Sequence, residues 1–288
     1  MRKISTLLIF SAGLALAQTP QAFDTPDAAA KALIDATANN DTAALKAIFG
    51  PKGATILTCG KAEQDKAERE EFARIARRKY QIERDAMNND RMILAVGDED
   101  WPFPAPIVKV NGKWQFDSAL GTTMMHARRI GANELDAIEI AAGFASAEMQ
   151  YAADHGGMQY ARRVLSTRGK DDGLFSEKHP LVPHQFAEAA ADGVSNATPK
   201  RYHGYYFELL TAQGPAAPGG QHNYLVKDSL MGGFALVAWP AEYGVTGMHT
   251  FVVNQEGVVY QRDLGRPANP SAPPVTAYNP DQSWMPVN

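Results

Sequence analysis

Asn133-Glu134-Leu135-Asp136-Ala137-Ile138-Glu139-Ile140-Ala141-Ala142-Gly143-Phe144-Ala145-Ser146-Ala147-Glu148-Met149-Gln150-Tyr151-Ala152-Ala153 is the stretch on which the fold turns. Apolar residues recur at Leu135, Ile138, Ala142, Ala145, Met149 and Ala152 in steps of three and four, and Ile140, Phe144, Ala147 and Tyr151 form a second such row. Asp136, Glu139, Gly143, Ser146 and Gln150 fall on the remaining stripe. The pattern predicts a helix from Asn133 to Ala153 that is buried over most of its girth, a spine around which a sheet can pack.

Beyond it, the glycine pair Gly156-Gly157, Gly169 and the turn Lys170-Asp171-Asp172-Gly173 break residues 154–201 into short pieces. The period then falls to two. Tyr205–Leu210, Phe234–Trp239, Thr250–Val253 and Val258–Gln261 are rich in aromatic and β-branched residues and read as strands, the last two joined through Asn254-Gln255-Glu256-Gly257. One long helix on an antiparallel sheet gives a domain over residues 127–265. Prolines accumulate from Pro267 to Pro286, so residues 266–288 are expected as an extended Pro-rich tail on the surface.

Upstream, Thr25-Pro26-Asp27 opens an alanine-rich helix to Ala38, Asp41 caps a second through Phe49, and the charged run Lys61 to Lys79 makes a third. Arg91–Val96 reads as a strand, and Ile107–Val110 and Trp114–Phe116 flank Asn111-Gly112, a strong hairpin signal. The fold class is therefore α+β: a small helical and meander domain over 24–120, then a long helix packed on an antiparallel sheet.

The 288 residues, 45% hydrophobic and 21% charged, suit a folded chain of about two domains at roughly 150 residues each. Lys and Arg number 28 against 32 Asp and Glu, with no basic run to draw the chain to a phosphate backbone, so nucleic acid is not an expected partner. Met1-Arg2-Lys3, the apolar stretch Ile4–Leu14 and the small-residue site Ala15-Leu16-Ala17 read as a signal peptide over 1–17, which places the product in the periplasm or outside the cell. Its loss takes Arg2 and Lys3 with it and moves the net charge from −4 to −6. The apolar run falls short of the ~20 residues a spanning helix needs, and no later segment supplies one. Cys59 is the only cysteine, so an exported chain of this length is held by its core and not by internal disulfides.

Four stretches carry a resemblance to a known family. Asp98-Glu99-Asp100-Trp101-Pro102-Phe103-Pro104-Ala105-Pro106, Ala127-Arg128-Arg129-Ile130-Gly131-Ala132-Asn133-Glu134-Leu135, Tyr202-His203-Gly204-Tyr205-Tyr206-Phe207 and Gly232 through Gly244 are similar to those of the bacterial family known as domain of unknown function 2950. That resemblance implies an exported bacterial protein. Residues 127–265 also resemble the globular heads of type IV pilin-like proteins, through Asn133-Glu134, Tyr151-Ala152-Ala153 and Gly204-Tyr205-Tyr206-Phe207 followed by Gly247 to Asn254 and Gly257 to Tyr260. No run of ~20 apolar residues precedes the helix, so the resemblance implies the head's fold without the filament's membrane-spanning spine.

Phosphate-cradling, dinucleotide-binding, zinc-pair and nucleophile-elbow motifs are all missing from the sequence, and no cofactor or metal is expected. Asp98-Glu99-Asp100 and Asp171-Asp172 lack the alternating ligands of a calcium loop, and His179 and His184 match no metal spacing. Aromatic residues beside turns are the candidates for binding: Trp101 among Pro102, Pro104 and Pro106, then Tyr202, His203, Trp239 and Tyr243. Trp239 is followed by Pro240, which predicts that the strand stops and the indole turns toward an opening. The same rings also suit a core packed between helix and sheet. Three functions stay open: a noncatalytic envelope protein that binds a protein or glycan, an envelope hydrolase drawing on His203, Glu208 or Glu242, or an assembly factor. A carboxylate and histidine within hydrogen-bond reach in a cleft would favour the enzyme, and an exposed aromatic patch would favour binding.

Overall fold

The structure is a computed structural model describing residues 19–58, 60–157, 159–191 and 199–287; the expected leader and Cys59 lie outside the described residues. The class is α+β, and the chain divides into two compact units between Met125 and His126.

In the first unit the Thr25 hydroxyl oxygen accepts from the Ala28 N–H and starts α1 (Pro26–Ala38), with Pro26 where a donor is not needed. The Asp41 carboxylate accepts from the N–H groups of Ala43 and Ala44 and starts α2 (Thr42–Phe49). A single turn, α3 (Ala54–Leu57), precedes α4 (Ala62–Arg78). The sequence pattern misses β1 (Tyr80–Arg84), which follows α4 with no breaker and carries three polar residues; it pairs antiparallel with β2 (Arg91–Val96). The expected hairpin is β4 (Ile107–Val110) and β5 (Lys113–Phe116), with Asn111 and Gly112 at φ 51° and 81°. The ladder runs β1-β2-β4-β5, and β3 (Trp101–Pro102) also pairs with β2. Leu33, Leu45, Phe49, Ile107 and Phe116 are central to the core between helices and sheet.

The division between the units falls within α5 (Ser118–Asp154), which begins well before Asn133. The Asp117 carboxylate accepts from the Leu120 N–H at 3.0 Å and starts it. Gly121, the Thr122-Thr123 pair and Gly131 depress helix propensity across the added stretch, which is why periodicity conceals it.

The second unit is built on a sheet of order β14-β13-β12-β11-β6, antiparallel throughout: β6 (Tyr205–Leu210), β11 (Ala235–Pro240), β12 (Thr250–Asn254), β13 (Tyr260–Arg262) and β14 (Met285–Pro286). Short ladders β7 (Ala212–Gln213) with β8 (His222–Asn223) and β9 (Leu225–Val226) with β10 (Ser229–Leu230) sit in the connection, and α6 (His184–Ala189) precedes β6. Ala238 lies opposite both Phe207 and Phe251, so Tyr205, Phe207, Leu236, Ala238 and Phe251 share one face, while Tyr206, Val237, Trp239 and Val252 share the other.

The first face takes α5 through Ala137, Ala141, Phe144, Ala145 and Tyr151; Phe144 meets Phe234 edge-on at 5.7 Å. This corrects the expected burial of the row from Leu135 to Ala152. Ala145 and Ala152 are buried, but Leu135 is 68% exposed, Met149 50%, and Ala142 exposed, because the alanines on the far side let the helix lie close to the sheet.

The other face corrects the expected tail. The Trp239 indole N–H donates to the Pro270 carbonyl at 2.9 Å, Tyr278 and Trp284 are buried in the main core, and β14 adds a strand to the sheet. Every residue of β11 and β12 is buried, so both faces of these strands need a cover, and residues 264–284 provide the second one. Among the described residues, no helix is long and apolar enough to cross a membrane.

Candidate functional site

Two polar residues of α5 hold the backbone of one loop. Asn133 Nδ2 donates to the Thr246 carbonyl at 2.8 Å. Glu134 Oε1 accepts from the Met248 and His249 N–H groups at 2.8 and 3.1 Å and lies 3.1 Å from His249 Nδ1. The Tyr205 hydroxyl donates to the His249 carbonyl at 3.0 Å, and burial, with the nearby Glu134 charge, pushes its pKa well up. A Cβ at Gly247 would fall 2.1 Å from that hydroxyl, so the loop is pressed onto the tyrosine and only glycine fits. Asn133 and Glu134 therefore fasten the 246–249 loop from mid-helix.

Asp136, one turn further along, does something different. Tyr202-His203-Gly204-Tyr205 is a two-residue turn closed by Tyr202 N–H to Tyr205 O and Tyr205 N–H to Tyr202 O at 2.8 and 2.9 Å, with His203 and Gly204 at φ 46° and 79°. Holding a non-glycine residue in the left-handed region costs about 1 kcal/mol or more, which here presents the imidazole to α5. His203 Nδ1 stands 2.6 Å from Asp136 Oδ2, and the Tyr202 ring lies 4.3 Å from the imidazole. Asp136 and His203 line a groove of about 350 Å³ with Glu139 and Gly143 on α5 and Leu181, Val182 and Pro183 opposite. Asp136 fixes the ring's orientation through Nδ1, leaving the other ring nitrogen to donate or accept. Among the described residues, the lining includes no serine, threonine, cysteine or lysine.

A family profile described as protein of unknown function (DUF2950) matches residues 20–287. The chain belongs to the DUF2950 family. No curated protein and no solved structure matches it.

Of the residues the sequence nominates in this DUF2950 protein, the groove brings together Tyr202 and His203 alone. Trp239 is 1% exposed: β11 continues through Pro240, and the indole is covered by the strap it bonds at Pro270, so the expected turn toward an opening does not occur. Tyr243 is half-buried, and its hydroxyl donates to Asp263 Oδ2 at 3.0 Å, which raises its pKa. Trp101 is partly exposed on β3 in the first unit. The acids considered with His203 have other settings. Glu242 pairs with Arg201 at 2.7 Å, and Glu208 alternates onto the sheet face turned away from α5.

Asp136, Glu139 and the 181–183 wall escaped the sequence reading. Their signal was present as the polar stripe of the long helix and as the apolar pair Leu181-Val182 between Pro180 and Pro183. Asp171 accepts from Ser176 Oγ at 2.6 Å and pairs with His179, which holds its carboxyl below the usual range and makes the motif a turn lock. Among the described residues, no group of three or more His, Cys, Asp and Glu is placed to hold a metal ion. Glu148 is the one fully buried acid of α5: its Oε2 accepts from the Ala161 N–H at 2.8 Å, its Oε1 has no partner among the described residues, and burial drives its pKa well up.

Proposed function

We propose that this protein is an exported component of the bacterial cell envelope, periplasmic or secreted, that binds another macromolecule without catalysis, and that the groove beside His203 is its binding site. The observation that carries the reading is the groove's two walls. Carboxylates of Asp136 and Glu139 with the His203 imidazole stand on one side, and Leu181, Val182 and Pro183 on the other. Such a groove suits an extended protein segment that sets a basic or hydroxyl-bearing side chain against the acids and an apolar one against Leu181. A leader-like start at residues 1–17 supports export. The likeness of residues 127–265 to a pilin-like head supports an assembly role at the level of fold, through the long helix lying across an antiparallel sheet.

The second reading is an envelope hydrolase, favoured by the 2.6 Å His203–Asp136 pair. With no serine, threonine, cysteine or lysine among the described lining residues, it would act through His203 on a water molecule. The test is photo-crosslinking from position 139 in whole envelopes, followed by titration of the identified partner against purified protein. Loss of affinity in His203→Ala and Asp136→Asn with no turnover supports binding. Turnover of an envelope polymer by the wild type, abolished in His203→Ala, supports the hydrolase. Unchanged affinity in both variants removes the groove from the function.

A further inference from the structure

The chain protects the edges of its two main sheets, with one exception. On β5, Phe23 and Trp114 exchange backbone bonds, each N–H donating to the other's carbonyl, at 2.7 and 2.8 Å. On β6, the Ala191 N–H donates to the Phe207 carbonyl and the Leu209 N–H to the Ala191 carbonyl, both at 3.0 Å. β14, at the far side of that sheet, is only two residues long. β1 is the exception: its five residues pair with β2 in unbroken register, with no proline or bulge, and none is buried. The Gly97 N–H donates to the Lys79 carbonyl and the Asp85 N–H to the Arg91 carbonyl, so the odd-numbered residues of the strand face β2. The N–H and C=O groups of Tyr80, Ile82 and Arg84 therefore point off the sheet, and none of them has a partner among the described residues. Such a row is a template for one more strand.

We infer that this added strand is β1 of a second copy, paired antiparallel about a two-fold axis at Ile82. The edge is complementary to its own reverse. Ile82 exchanges both backbone bonds with the partner's Ile82, and Tyr80 does so with the partner's Arg84 at each end, so every free group on the edge is used. On the face that carries the odd-numbered side chains, Gln81 comes opposite the partner's Glu83 and Lys79 opposite the partner's Asp85, twice each. Gln81 Nε2 donates to Glu83 Oε1 of its own strand at 2.7 Å and has a second N–H for the partner's carboxylate. On the other face Arg84, exposed and without an ion pair among the described residues, comes against the partner's Tyr80 ring. Moving the axis to Gln81 or to Glu83 loses two of the bonds, and the second of these shifts sets Glu83 on Glu83. A parallel pairing in register sets glutamate on glutamate and arginine on arginine.

The experiment is sedimentation analysis of the chain from Gln18 onward over a concentration series reaching about 0.5 mM, with disulfide trapping in a Cys59→Ser background. The wild type is expected as a weak, reversible dimer, in keeping with so short an edge. Arg84→Pro removes a donor that the fold leaves unused, so it should be monomeric with circular dichroism and melting unchanged. Gln81→Lys should tighten the dimer roughly fivefold and Gln81→Glu weaken it by as much. Gln81→Cys and Glu83→Cys chains should crosslink when mixed, since the register puts their Cα atoms about 4.5 Å apart. Neither should crosslink alone, because like positions stand about 8 Å apart and a disulfide spans at most ~7 Å. A chain that stays monomeric throughout, a dimer that Arg84→Pro leaves intact, or single cysteines that trap as readily as the mixture would each overturn the inference.

Discussion

The central strands β11 and β12 of the second unit are buried on both faces, by very different means. One face lies under α5, a single regular element whose backbone satisfies itself and whose contact with the sheet is made by alanines and Phe144. The other lies under residues 264–284, an irregular strap pinned at separate points: Trp239 to Pro270, Gly214 N–H to the Tyr278 carbonyl at 2.9 Å, Tyr278 N–H to the Ala212 carbonyl at 3.0 Å, and the β13–β14 pairing. The difference teaches that a strand apolar on both faces demands two covers, and that only a regular cover announces itself by periodicity.

Removing residues 266–288 should break the comparison most severely. It strips Tyr278, Trp284 and β14 and lays Trp239 bare, so calorimetry should show the second unit losing its cooperative transition, a cost beyond ~5 kcal/mol. An unchanged melt would return the segment to a loose tail. Single substitutions then weigh one face against the other. Phe144→Ala and Trp239→Ala should each cost about 3–5 kcal/mol by urea unfolding, and a Trp239 value below ~1 kcal/mol would mean that the strap covers without packing.

A smaller effect comes from the polar defect under α5. Burial raises the folded-state pKa of Glu148 above its ordinary 4.5, so the folded chain holds a proton that the unfolded chain releases. The contribution to stability is complete below about pH 4.5 and falls as pH rises through the raised folded value. Acids held down by cations, such as Asp85 beside Arg91, lose their contribution in the opposite direction, at low pH. Melting temperature should therefore decline as pH rises above about 4.5 in the wild type and decline less in Glu148→Gln; parallel curves would remove Glu148 as the cause. The smallest effect on folding belongs to the exposed dyad. His203→Ala should change stability by less than ~1 kcal/mol while abolishing partner binding, and a large loss of stability would make the pair a fastening like Glu134.

Most elements were legible because local rules agreed with global ones. Thr25, Asp41 and Asn111-Gly112 mark helix starts and a hairpin where the backbone has them. What escaped was set by tertiary context. The early start of α5 is hidden by glycines and threonines, and the strap is disguised by prolines whose missing N–H groups suit it to lie on a sheet. The signal that could have found the strap is Tyr278 and Trp284, two large aromatics in a stretch otherwise small and polar. Of the site, Tyr202 and His203 were legible from their turn. Asp136 and Glu139 were not, since a polar stripe on a helix reads as solvated until another segment is seen to face it.

The strap also sets a clock. The core of the first unit is fully encoded once Met125 has been made, whereas the second unit waits for Tyr278 and Trp284 before its sheet has two covers. At roughly 5–20 residues per second, that interval is about 8 to 30 s. The central strands of the sheet are complete but half-roofed over the last part of that interval, the stretch from Asn254 to Trp284 or about 1.5–6 s, when Trp239, Val237 and Val252 are open to any sticky neighbour, so the nascent chain, more than the finished protein, is the species that needs a chaperone.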